Sequence, residues 1–212
     1  MPEIDFARQR QDLVAELRAL GIRDEAVLAT IGSVPREAFV PFDSLDQAYC
    51  NAPLSIGLGQ TISQPLVVAH MAEAARLSGG ERVLEVGAGS GYAAAVLSRL
   101  AHEVFTVERL HPLADSAAER LKRLGYANIH VHCADGAQGW DEHAPYDAII
   151  VAAGGPWIPP ALLEQLAIGG RLIFPLGERS QRLVRAIRRT QRDYDYDDLG
   201  AVRFVPLVVD GR

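Results

Sequence analysis

Strand and helix patterns alternate along the chain after residue 79. Short apolar runs typical of buried parallel strands recur there, at Arg82 to Val86, Glu103 to Val107, Ile129 to Cys133, Asp147 to Ala152 and Arg171 to Pro175. The segments between them predict helices, at Tyr92 to Ala101, Pro112 to Leu124 and Pro160 to Ala167. An antiparallel pair of strands is expected at one edge, at Arg182 to Thr190 and Ala201 to Val209. This order predicts an α/β fold, a mostly parallel seven-stranded sheet with helices on both faces.

The first 78 residues have a different pattern. Apolar residues at helical spacing predict one helix over Asp5 to Leu20 and a shorter one over Arg23 to Ile31. From Val34 to Ser63, prolines and glycines are too frequent for regular structure, yet the segment is rich in apolar residues, so we expect a loop that covers another part of the molecule. A further helix is expected over Gln64 to Leu77. Residues 1–212 then form a single domain, with a cap and loop at 1–78 and an α/β core at 79–212.

Composition narrows the class of protein. The chain has 212 residues, of which 49% are hydrophobic and 23% charged, as in an ordinary globular protein. Its apolar runs fall short of the ~20 residues that a membrane-spanning helix needs, and Met1 to Leu20 lacks the apolar stretch of a secretory signal. We therefore expect a cytoplasmic protein without a membrane partner. The net charge of −6 argues against a nucleic-acid partner.

The C-terminal part contains a basic cluster followed at once by acids. Its members are Arg179, Arg182, Arg185, Arg188, Arg189 and Arg192, then Asp193, Asp195, Asp197 and Asp198. A solvated strand edge and a binding patch both explain the cluster, and we favour the strand edge.

Three residue types were considered as metal, redox or pocket groups. Cys50 and Cys133 share no short metal or redox spacing, and we expect two packed thiols. His130 and His132 alternate on a predicted strand and face the same side, but a pair without further ligands favours a structural role, so no metal is expected. The tryptophans follow strand ends, where they either line a pocket or pack; they are Trp140 and Trp157.

The first core strand runs into a glycine-rich turn, Glu85-Val86-Gly87-Ala88-Gly89-Ser90-Gly91-Tyr92. Ligands bind at the carboxyl ends of strands in such sheets, and glycines let backbone approach them closely. A dinucleotide-binding turn would read Gly-x-Gly-x-x-Gly, but its last position is here Tyr92, whose bulk obstructs a pyrophosphate. The Gly-x-Gly-x-Gly spacing instead resembles motif I of the class I methyltransferases, although a tight strand-to-helix connection would also use it.

Acids follow the next two strands. Glu108, with Arg109 after it, ends the second strand, where a carboxylate can accept hydrogen bonds from both hydroxyls of a ribose. Asp135-Gly136 follows the third strand, where an acid can accept from the amine of adenine and a glycine leaves room for the ring. Either acid alone is more often a cap or a turn residue. At consecutive strand ends, the two together favour a nucleoside-type cofactor.

Further motifs extend over both parts of the chain. They lie at Val34 to Pro41, Ala48-Tyr49, Pro53-Leu54, Ile56 to Pro65, Val83 to Tyr92, Thr106 to Arg109, Asp135 to Trp140, Ala144 to Ile149, Pro159 to Gly170 and Val202 to Leu207. Together they resemble the protein-L-isoaspartate (D-aspartate) O-methyltransferase family. The resemblance covers almost the whole chain from Val34, and its Gly-Gln-Thr-Ile-Ser element, Gly59 to Ser63, is not a general methyltransferase feature.

The resemblance implies a Rossmann-like class I methyltransferase fold with a substrate loop in its N-terminal part. It implies transfer of a methyl group from S-adenosyl-L-methionine to the α-carboxyl of L-isoaspartyl residues in damaged proteins and peptides, which begins their repair through a succinimide. A monomer is expected. The cofactor-binding residues are then Glu85, Gly87, Gly89, Ser90, Gly91, Glu108, Arg109, Asp135 and Gly136.

Ser63 is the candidate catalytic residue in the substrate loop. The resemblance places it beside the reacting carboxylate, where its hydroxyl orients that group, and Thr61 and Gln60 help to close the site. Nothing in the sequence suggests a covalent intermediate on Ser63. An alternative is that Thr61 and Ser63 cap the following helix, and both roles can coexist.

Some positions depart from the family pattern. Asn51 stands where Asp is common, Ser55 where Pro is usual, and Gly154-Gly155 where an alanine-rich pair is usual, which suggests added backbone freedom beside the site. A related carboxyl methyltransferase with a dedicated peptide or small-acid substrate is therefore an alternative. A non-catalytic binding module is disfavoured by the intact Ser63 and cofactor motifs. A nucleic-acid methyltransferase is disfavoured by charge and by the lack of an Asn-Pro-Pro-Tyr-type motif.

Overall fold

The N-terminal part of the protein packs helices and one small hairpin beside the main sheet. A computed structural model describes residues 4–209, so the outermost residues of the expected 1–212 domain lie outside the described part of the chain. The elements before the core are α1 (Phe6–Ala19), α2 (Glu25–Ile31), β1 (Leu54–Gly57), β2 (Gln60–Ile62) and α3 (Pro65–Ala75). Short 3-10 turns lie at Arg36–Phe39 and Phe42–Gln47. The three predicted helices are confirmed to within a few residues.

The hairpin of β1 and β2 was not expected in the breaker-rich loop. The strands pair antiparallel, with Leu54 opposite Ile62 and Ser55 opposite Thr61. Leu58 and Gly59 form the connection with φ of +52° and +72°. Tight two-residue hairpin turns favour positive φ at both central residues, and that signal was hidden by a leucine at the first position.

Strand and helix alternate through the core as the sequence predicts. The elements are β3 (Arg82–Val86), α4 (Tyr92–Ser98), β4 (Glu103–Glu108), α5 (His111–Arg123), β5 (Ile129–Cys133), β6 (Tyr146–Val151), α6 (Pro160–Glu164), β7 (Leu166–Leu176), β8 (Gln181–Arg188) and β9 (Tyr194–Val202). Helix α6 is shorter than expected because β7 begins at Leu166, which pairs with Tyr146 of β6.

The seven-stranded sheet has the order β5-β4-β3-β6-β7-β8-β9. The first five strands of this order, β5-β4-β3-β6-β7, are parallel to one another. Strands β8 and β9 each run antiparallel to their neighbours. The predicted α/β class and the mostly parallel seven-stranded sheet are thus confirmed. After β3 the chain builds outward through β4 and β5, then returns to the other side of β3 with β6. Such a reversal opens a crevice at the carboxyl ends of the central strands.

Alternate residues of the strands face two apolar layers, as the pleat requires. Val83 and Ala148 belong to the layer that packs against the N-terminal helices and α4. Leu84 and Ile149 belong to the opposite layer, with Phe174 and Leu162 of α6. The central strands are therefore buried on both faces, and their ends hold the turns that follow them in fixed positions.

The last strand lies earlier in the sequence than predicted. We expected Ala201 to Val209, whereas β9 covers Tyr194–Val202 and its aspartates form ion pairs with arginines of β8 and of the turn after it. The Arg-rich cluster lies on β8 and the turns that flank it, next to the edge strand β9, so the favoured interpretation of a strand edge is close. Arg185 and Arg188, however, are not simply solvated and donate to backbone carbonyls of other elements. The cross-strand ion pairs, between nitrogen and carboxylate oxygen, are Arg182–Asp198 at 2.8 Å, Arg185–Asp197 at 2.6 Å and Arg189–Asp195 at 2.5 Å.

Both cysteines are exposed, so the expectation of packed thiols is wrong. Cys50 lies in a turn after the second 3-10 segment, and Cys133 ends the edge strand β5, where nothing covers it fully. Between residues 4 and 209, no helix is both long enough and apolar enough to cross a membrane.

Candidate functional site

A cavity of about 1130 Å³ opens at the carboxyl ends of β3 and β4. Most of its lining comes from three groups of residues: the glycine-rich turn with the end of β4, the segment from Gln60 to His70, and the segment from Ala201 to Val208. Most of the predicted site residues meet here. Those lining the cavity are Gln60, Thr61, Ser63, Gly87, Gly89, Ser90, Glu108, Arg109 and Gly136.

The glycine-rich turn is held by backbone hydrogen bonds to β4. The N–H groups of Gly87 and Ala88 donate to the Val107 carbonyl at 2.8 and 3.3 Å. Gly87 and Gly89 have φ of +98° and +53°, which favours glycine. Gly91 does not line the cavity. A Cβ there would lie 3.2 Å from Leu121 Cδ1, so Gly91 lets α4 begin in close contact with α5.

Glu108 is fixed at the end of β4 by two backbone donors. Its Oε2 accepts from the Gly89 N–H at 2.9 Å, and its Oε1 accepts from the Leu110 N–H at 3.0 Å. The side chain is nearly buried, at 7% exposure, but lines the cavity. An ionised carboxylate has about four acceptor positions. Each oxygen therefore keeps one for a donor in the cavity.

Of the Asp135-Gly136 pair, only the glycine lines the cavity. Asp135 accepts from the Ala137 N–H at 2.9 Å, starts a 3-10 turn and does not line the cavity, whereas Gly136 does. A Cβ on Gly136 would lie 2.4 Å from Val86 Cγ1. Glycine is thus needed for packing against β3, in addition to any room it leaves for a ligand.

Glu85 lies beneath the turn and does not line the cavity. It is 1% exposed, and its Oε2 accepts from Thr106 Oγ1 at 2.5 Å. Its Oε1 is buried and lacks a hydrogen-bond partner among the described residues. Desolvation raises the pKa of Glu85 to about 8, and the nearby Glu108 adds to the increase. The carboxyl is thus largely protonated at neutral pH.

The segment from Gln60 to Ser63 forms another wall of the cavity, but it does not cap α3. The residue before α3 is Gln64, and neither Thr61 nor Ser63 accepts from the first turn. Instead Asn51 Oδ1 accepts from the Leu66 N–H at 3.1 Å. The alternative that Thr61 and Ser63 cap the following helix is therefore wrong. The Ser63 hydroxyl has no hydrogen-bond partner among the described residues and is available to a ligand.

Asn51 also explains one departure from the family pattern. Its Nδ2 donates to Glu16 Oε1 at 3.0 Å, and the Gln64 side chain donates to its carbonyl at 2.9 Å. An aspartate here would place a carboxylate against Glu16. The amide therefore fits this chain's own α1, and its side chain is engaged outside the cavity.

The sequence did not identify the segment after β9 as a wall of the cavity. Residues 203–208 line it and are bonded to Gly154, whose N–H donates to Val205 O at 2.8 Å and whose carbonyl accepts from Leu207 N at 2.7 Å. The alternation of apolar residues around Pro206 looked like a strand. Proline cannot donate to a sheet, and only an isolated bridge forms there.

Gly154 is constrained rather than flexible, so the predicted backbone freedom is wrong. A Cβ there would lie 2.4 Å from Gln181 Nε2 and 2.9 Å from Pro175 O. Gly155 donates to Pro175 O at 3.1 Å and accepts from Gly177 N at 2.8 Å. Close packing, and not mobility, requires glycine at position 154.

The histidines and tryptophans considered from sequence lie outside this cavity. His130 stacks on Phe105 at 4.9 Å between ring centroids, and His132 stacks on Trp140 at 4.6 Å. These rings form a packed aromatic group. Trp157 is 46% exposed and lines a separate cavity of about 310 Å³ that shares Leu207 and Val208 with the first.

The fold and the cavity define the class. A mostly parallel seven-stranded α/β sheet, a glycine-rich turn after its first strand and an acid at the end of the next are the arrangement of a class I methyltransferase. The family model for protein-L-isoaspartate(D-aspartate) O-methyltransferase matches residues 8–211. The chain belongs to that family.

Similar proteins and a solved structure carry the name of the same family. The chain is 56% identical over 208 residues to protein-L-isoaspartate O-methyltransferase 1 of Rhodopseudomonas palustris, covering 97% of this chain and 85% of the relative. It is 55% identical over 203 residues to protein-L-isoaspartate O-methyltransferase 2 of Pelobacter propionicus, covering 94% and 90%. A solved protein-L-isoaspartate O-methyltransferase superposes with a TM-score of 0.87 at 31% identity, covering 95% of this chain and 66% of that one.

A second solved structure contains a ligand. It is described as a protein-L-isoaspartate O-methyltransferase from Plasmodium falciparum in complex with S-adenosyl-L-homocysteine. It matches with a TM-score of 0.80 at 26% identity, covering 94% of this chain and 98% of that one.

Proposed function

We propose that this chain transfers a methyl group from S-adenosyl-L-methionine to the α-carboxylate of L-isoaspartyl residues in damaged proteins and peptides. The observation that carries the proposal is that Ser63 and Glu108 line one cavity. A substrate group and a nucleoside cofactor can thus meet there. The family, with relatives 55–56% identical over nearly the whole chain, supports this assignment.

The residues at the carboxyl ends of β3 and β4 fit the cofactor. Glu108 keeps an acceptor on each oxygen for the ribose hydroxyls, and its two backbone donors hold it in place. Gly87, Gly89 and Ser90 line the same wall and let the backbone approach closely. Gly136 and Arg109 lie at the adjoining strand ends. When bound, S-adenosylmethionine supplies an activated methyl group on a positively charged sulfur.

Three residues of the sequence-derived cofactor set act indirectly in this proposal. Gly91 sets the packing of α4, Asp135 holds the turn that presents Gly136, and Glu85 lies under the glycine-rich turn. They shape the site, and the contacts with the cofactor come from their neighbours.

The substrate carboxylate needs little activation. It is ionised at neutral pH, so no general base is required. An oxygen of the carboxylate forms the new O–CH₃ bond as the C–S bond breaks, the electron pair stays on sulfur, and no proton moves. The protein's task is alignment and exclusion of water, which in favourable cases contribute about 7–11 kcal/mol.

The Gln60–Ser63 segment provides the alignment on the substrate side. The Ser63 hydroxyl is free to donate to the carboxylate and orient it, while Thr61 and Gln60 help to close the cavity. The product ester is then attacked by the adjacent backbone nitrogen, which expels methanol and forms a succinimide. Hydrolysis of that ring returns part of the material to normal aspartate.

A dedicated peptide or small acid as substrate has less support. Two of the departures that suggested it have local explanations, because Asn51 bonds to Glu16 and Gly154 is required by packing, whereas Ser55 has no structural explanation. Asn51 and Gly154 are explained without a change in what the cavity accepts.

The test is transfer of labelled methyl from S-adenosylmethionine to a short isoaspartyl peptide, with the aspartyl peptide as control. Labelling of the isoaspartyl peptide alone is expected. Tight cofactor binding by calorimetry without labelling would overturn the proposal and favour a dedicated substrate.

We also propose that the chain acts as a monomer without a nucleic-acid partner. The cavity is lined by segments of this chain, and the net charge of −6 disfavours a polyanionic partner. Light scattering is expected to give a mass near 23.0 kDa. A mass of twice that value at micromolar concentration would contradict the proposal.

A further inference from the structure

Arg36 is completely buried, which is unusual for an arginine. It starts the 3-10 turn Arg36–Phe39, and its Nε donates to the Ala48 carbonyl at 2.8 Å. Its Nη2 donates to the Ser63 carbonyl at 2.9 Å. No carboxylate among residues 4–209 forms an ion pair with it. A buried cation without such a partner is costly, so the contacts that Arg36 makes with backbone need a reason.

The guanidinium also contacts the cofactor side of the cavity. Its Cζ lies 4.7 Å from the centroid of the Tyr92 ring, a cation–π arrangement. Phe39 meets the same ring edge-on at 5.6 Å. Tyr92 is the first residue of α4 and follows Gly91 of the glycine-rich turn directly. Arg36 therefore lies between the carbonyl of the candidate catalytic serine and the helix that starts from the cofactor turn.

The backbone of Arg36 is itself anchored. Its N–H donates to the Tyr49 hydroxyl at 3.2 Å, and that hydroxyl donates to Glu37 and accepts from Arg10 Nε at 2.7 Å. Arg10 and Glu37 form an ion pair at 2.9 Å. The arginine thus has little freedom to follow the serine segment if that segment moves.

We propose that Arg36 is a positioning residue for methyl transfer, which holds Ser63 at a fixed place relative to the cofactor turn. Fixing the Ser63 carbonyl fixes the peptide plane after it and so limits the directions open to its side chain. The contact with Tyr92 fixes the guanidinium relative to the glycine-rich turn on the cofactor side. Arg36 touches neither substrate nor cofactor, and its effect passes through Ser63. This inference rests on the proposed function.

The control is Arg171, whose guanidinium also donates to backbone carbonyls, although it has in addition an ion pair with Glu81 at 3.7 Å. Its Nε donates to Ala75 O at 2.6 Å and its Nη2 to Arg76 O at 2.7 Å, at the end of α3 that is remote from Ser63. Arg171→Ala removes bonds of the same kind without touching the serine segment. It should lower the melting temperature and leave kcat unchanged at a temperature where the protein is folded.

The experiment compares Arg36→Ala and Arg36→Lys with this control. We expect Arg36→Ala to lower kcat on an isoaspartyl peptide about 100-fold, the scale of a small misplacement of a reacting group. KM and the Kd of S-adenosylhomocysteine should change little. Arg36→Lys keeps the positive charge on a single donor nitrogen, so its kcat should lie between those of Arg36→Ala and the wild type. This variant also provides the test if Arg36→Ala does not fold.

Amide hydrogen exchange gives a readout independent of turnover. Exchange should rise at residues 60–66 in the Arg36 variants and not in Arg171→Ala. A kcat for both Arg36 variants within twofold of the control, or exchange that rises uniformly over the protein, would overturn the proposal. If the wild type labels no isoaspartyl peptide, the proposed function fails while the exchange data still decide whether Arg36 holds the serine segment.

Discussion

The two sides of the cavity are held in place in different ways. On the cofactor side, Gly87 and Glu108 are fixed by backbone hydrogen bonds at the ends of buried strands. On the substrate side, the Gln60–Ser63 segment belongs to a two-stranded hairpin; Arg36 bonds to its last carbonyl, and Asn51 bonds to the first turn of the helix that follows. The first arrangement depends on the sheet as a whole. The second depends on a few bonds, so single substitutions should disturb it selectively.

The largest effect is expected on the cofactor side. Glu108→Ala removes the acceptors proposed for both ribose hydroxyls, and hydrogen bonds to a charged group contribute roughly 1.5–3 kcal/mol each. Cofactor affinity should fall at least 100-fold by calorimetry. Glu103→Ala, at the amino end of the same strand, is the control and should bind normally. Unchanged affinity in Glu108→Ala would remove this residue from the site.

The next prediction concerns how Glu85, buried under the glycine-rich turn, makes the free energy of unfolding depend on pH. The unfolded chain loses the Glu85 proton near pH 4.5, whereas the folded protein keeps it until the pH nears 8. Between these values the folded state binds more protons, so stability falls as pH rises. Glu85→Gln cannot ionise. Its free energy of unfolding, relative to wild type, should increase by roughly 2–4 kcal/mol from pH 4.5 to pH 8.5.

Urea denaturation at the two pH values measures this difference. The prediction fails if the wild-type free energy of unfolding rises over this range and its difference from Glu85→Gln stays constant. In that case the buried carboxyl would already be ionised in the folded protein.

On the substrate side, Ser63→Ala should separate turnover from cofactor binding. Loss of the orienting hydroxyl should lower kcat roughly 10- to 100-fold, below the effect of a full oxyanion donor, while the Kd of S-adenosylhomocysteine stays the same. Ser55→Ala on the neighbouring hairpin strand is the control, since Ser55 is exposed and does not line the cavity. Parallel loss of kcat and cofactor affinity would make Ser63 a structural residue.

The smallest effect is expected at Asn51. Asn51→Asp places a carboxylate beside Glu16 and should be less favourable in wild type than in a Glu16→Gln background, by roughly 0.5–1 kcal/mol. A double-mutant cycle of unfolding free energies measures this coupling. A coupling energy of zero would mean that the amide-to-carboxylate contact does not matter in solution.

The same contrast explains what the sequence could predict. The core strands could be predicted because each is a buried apolar run. Glu108 could be predicted as a candidate because it stands at the end of such a run. Strand β9 was misplaced because its acids hid a strand that is stabilised by arginines across it, with Arg185 opposite Asp197. Burial predicts strands well, and cross-strand charge pairs do not show in a single segment.

The site was predicted where neighbours in sequence make it and missed where distant residues do. Motif glycines and Ser63 lie in continuous stretches. The bond from Arg36 to Ser63 spans 27 residues, and the cavity wall at 203–208 depends on a contact with Gly154. No local pattern records such contacts. The role of Gly154 also needed the position of Gln181, which only the folded chain supplies.

The Arg–Asp ladder along β8 and β9 has a consequence for how copies of the protein meet. An open sheet edge is a template on which another chain can add a strand and begin aggregation. At this edge Asp195, Asp197 and Asp198 are held by arginines, so the strand carries fixed, charged side chains along its length. The composition of the outermost strand is thus of the kind by which native sheets limit strand addition at an edge.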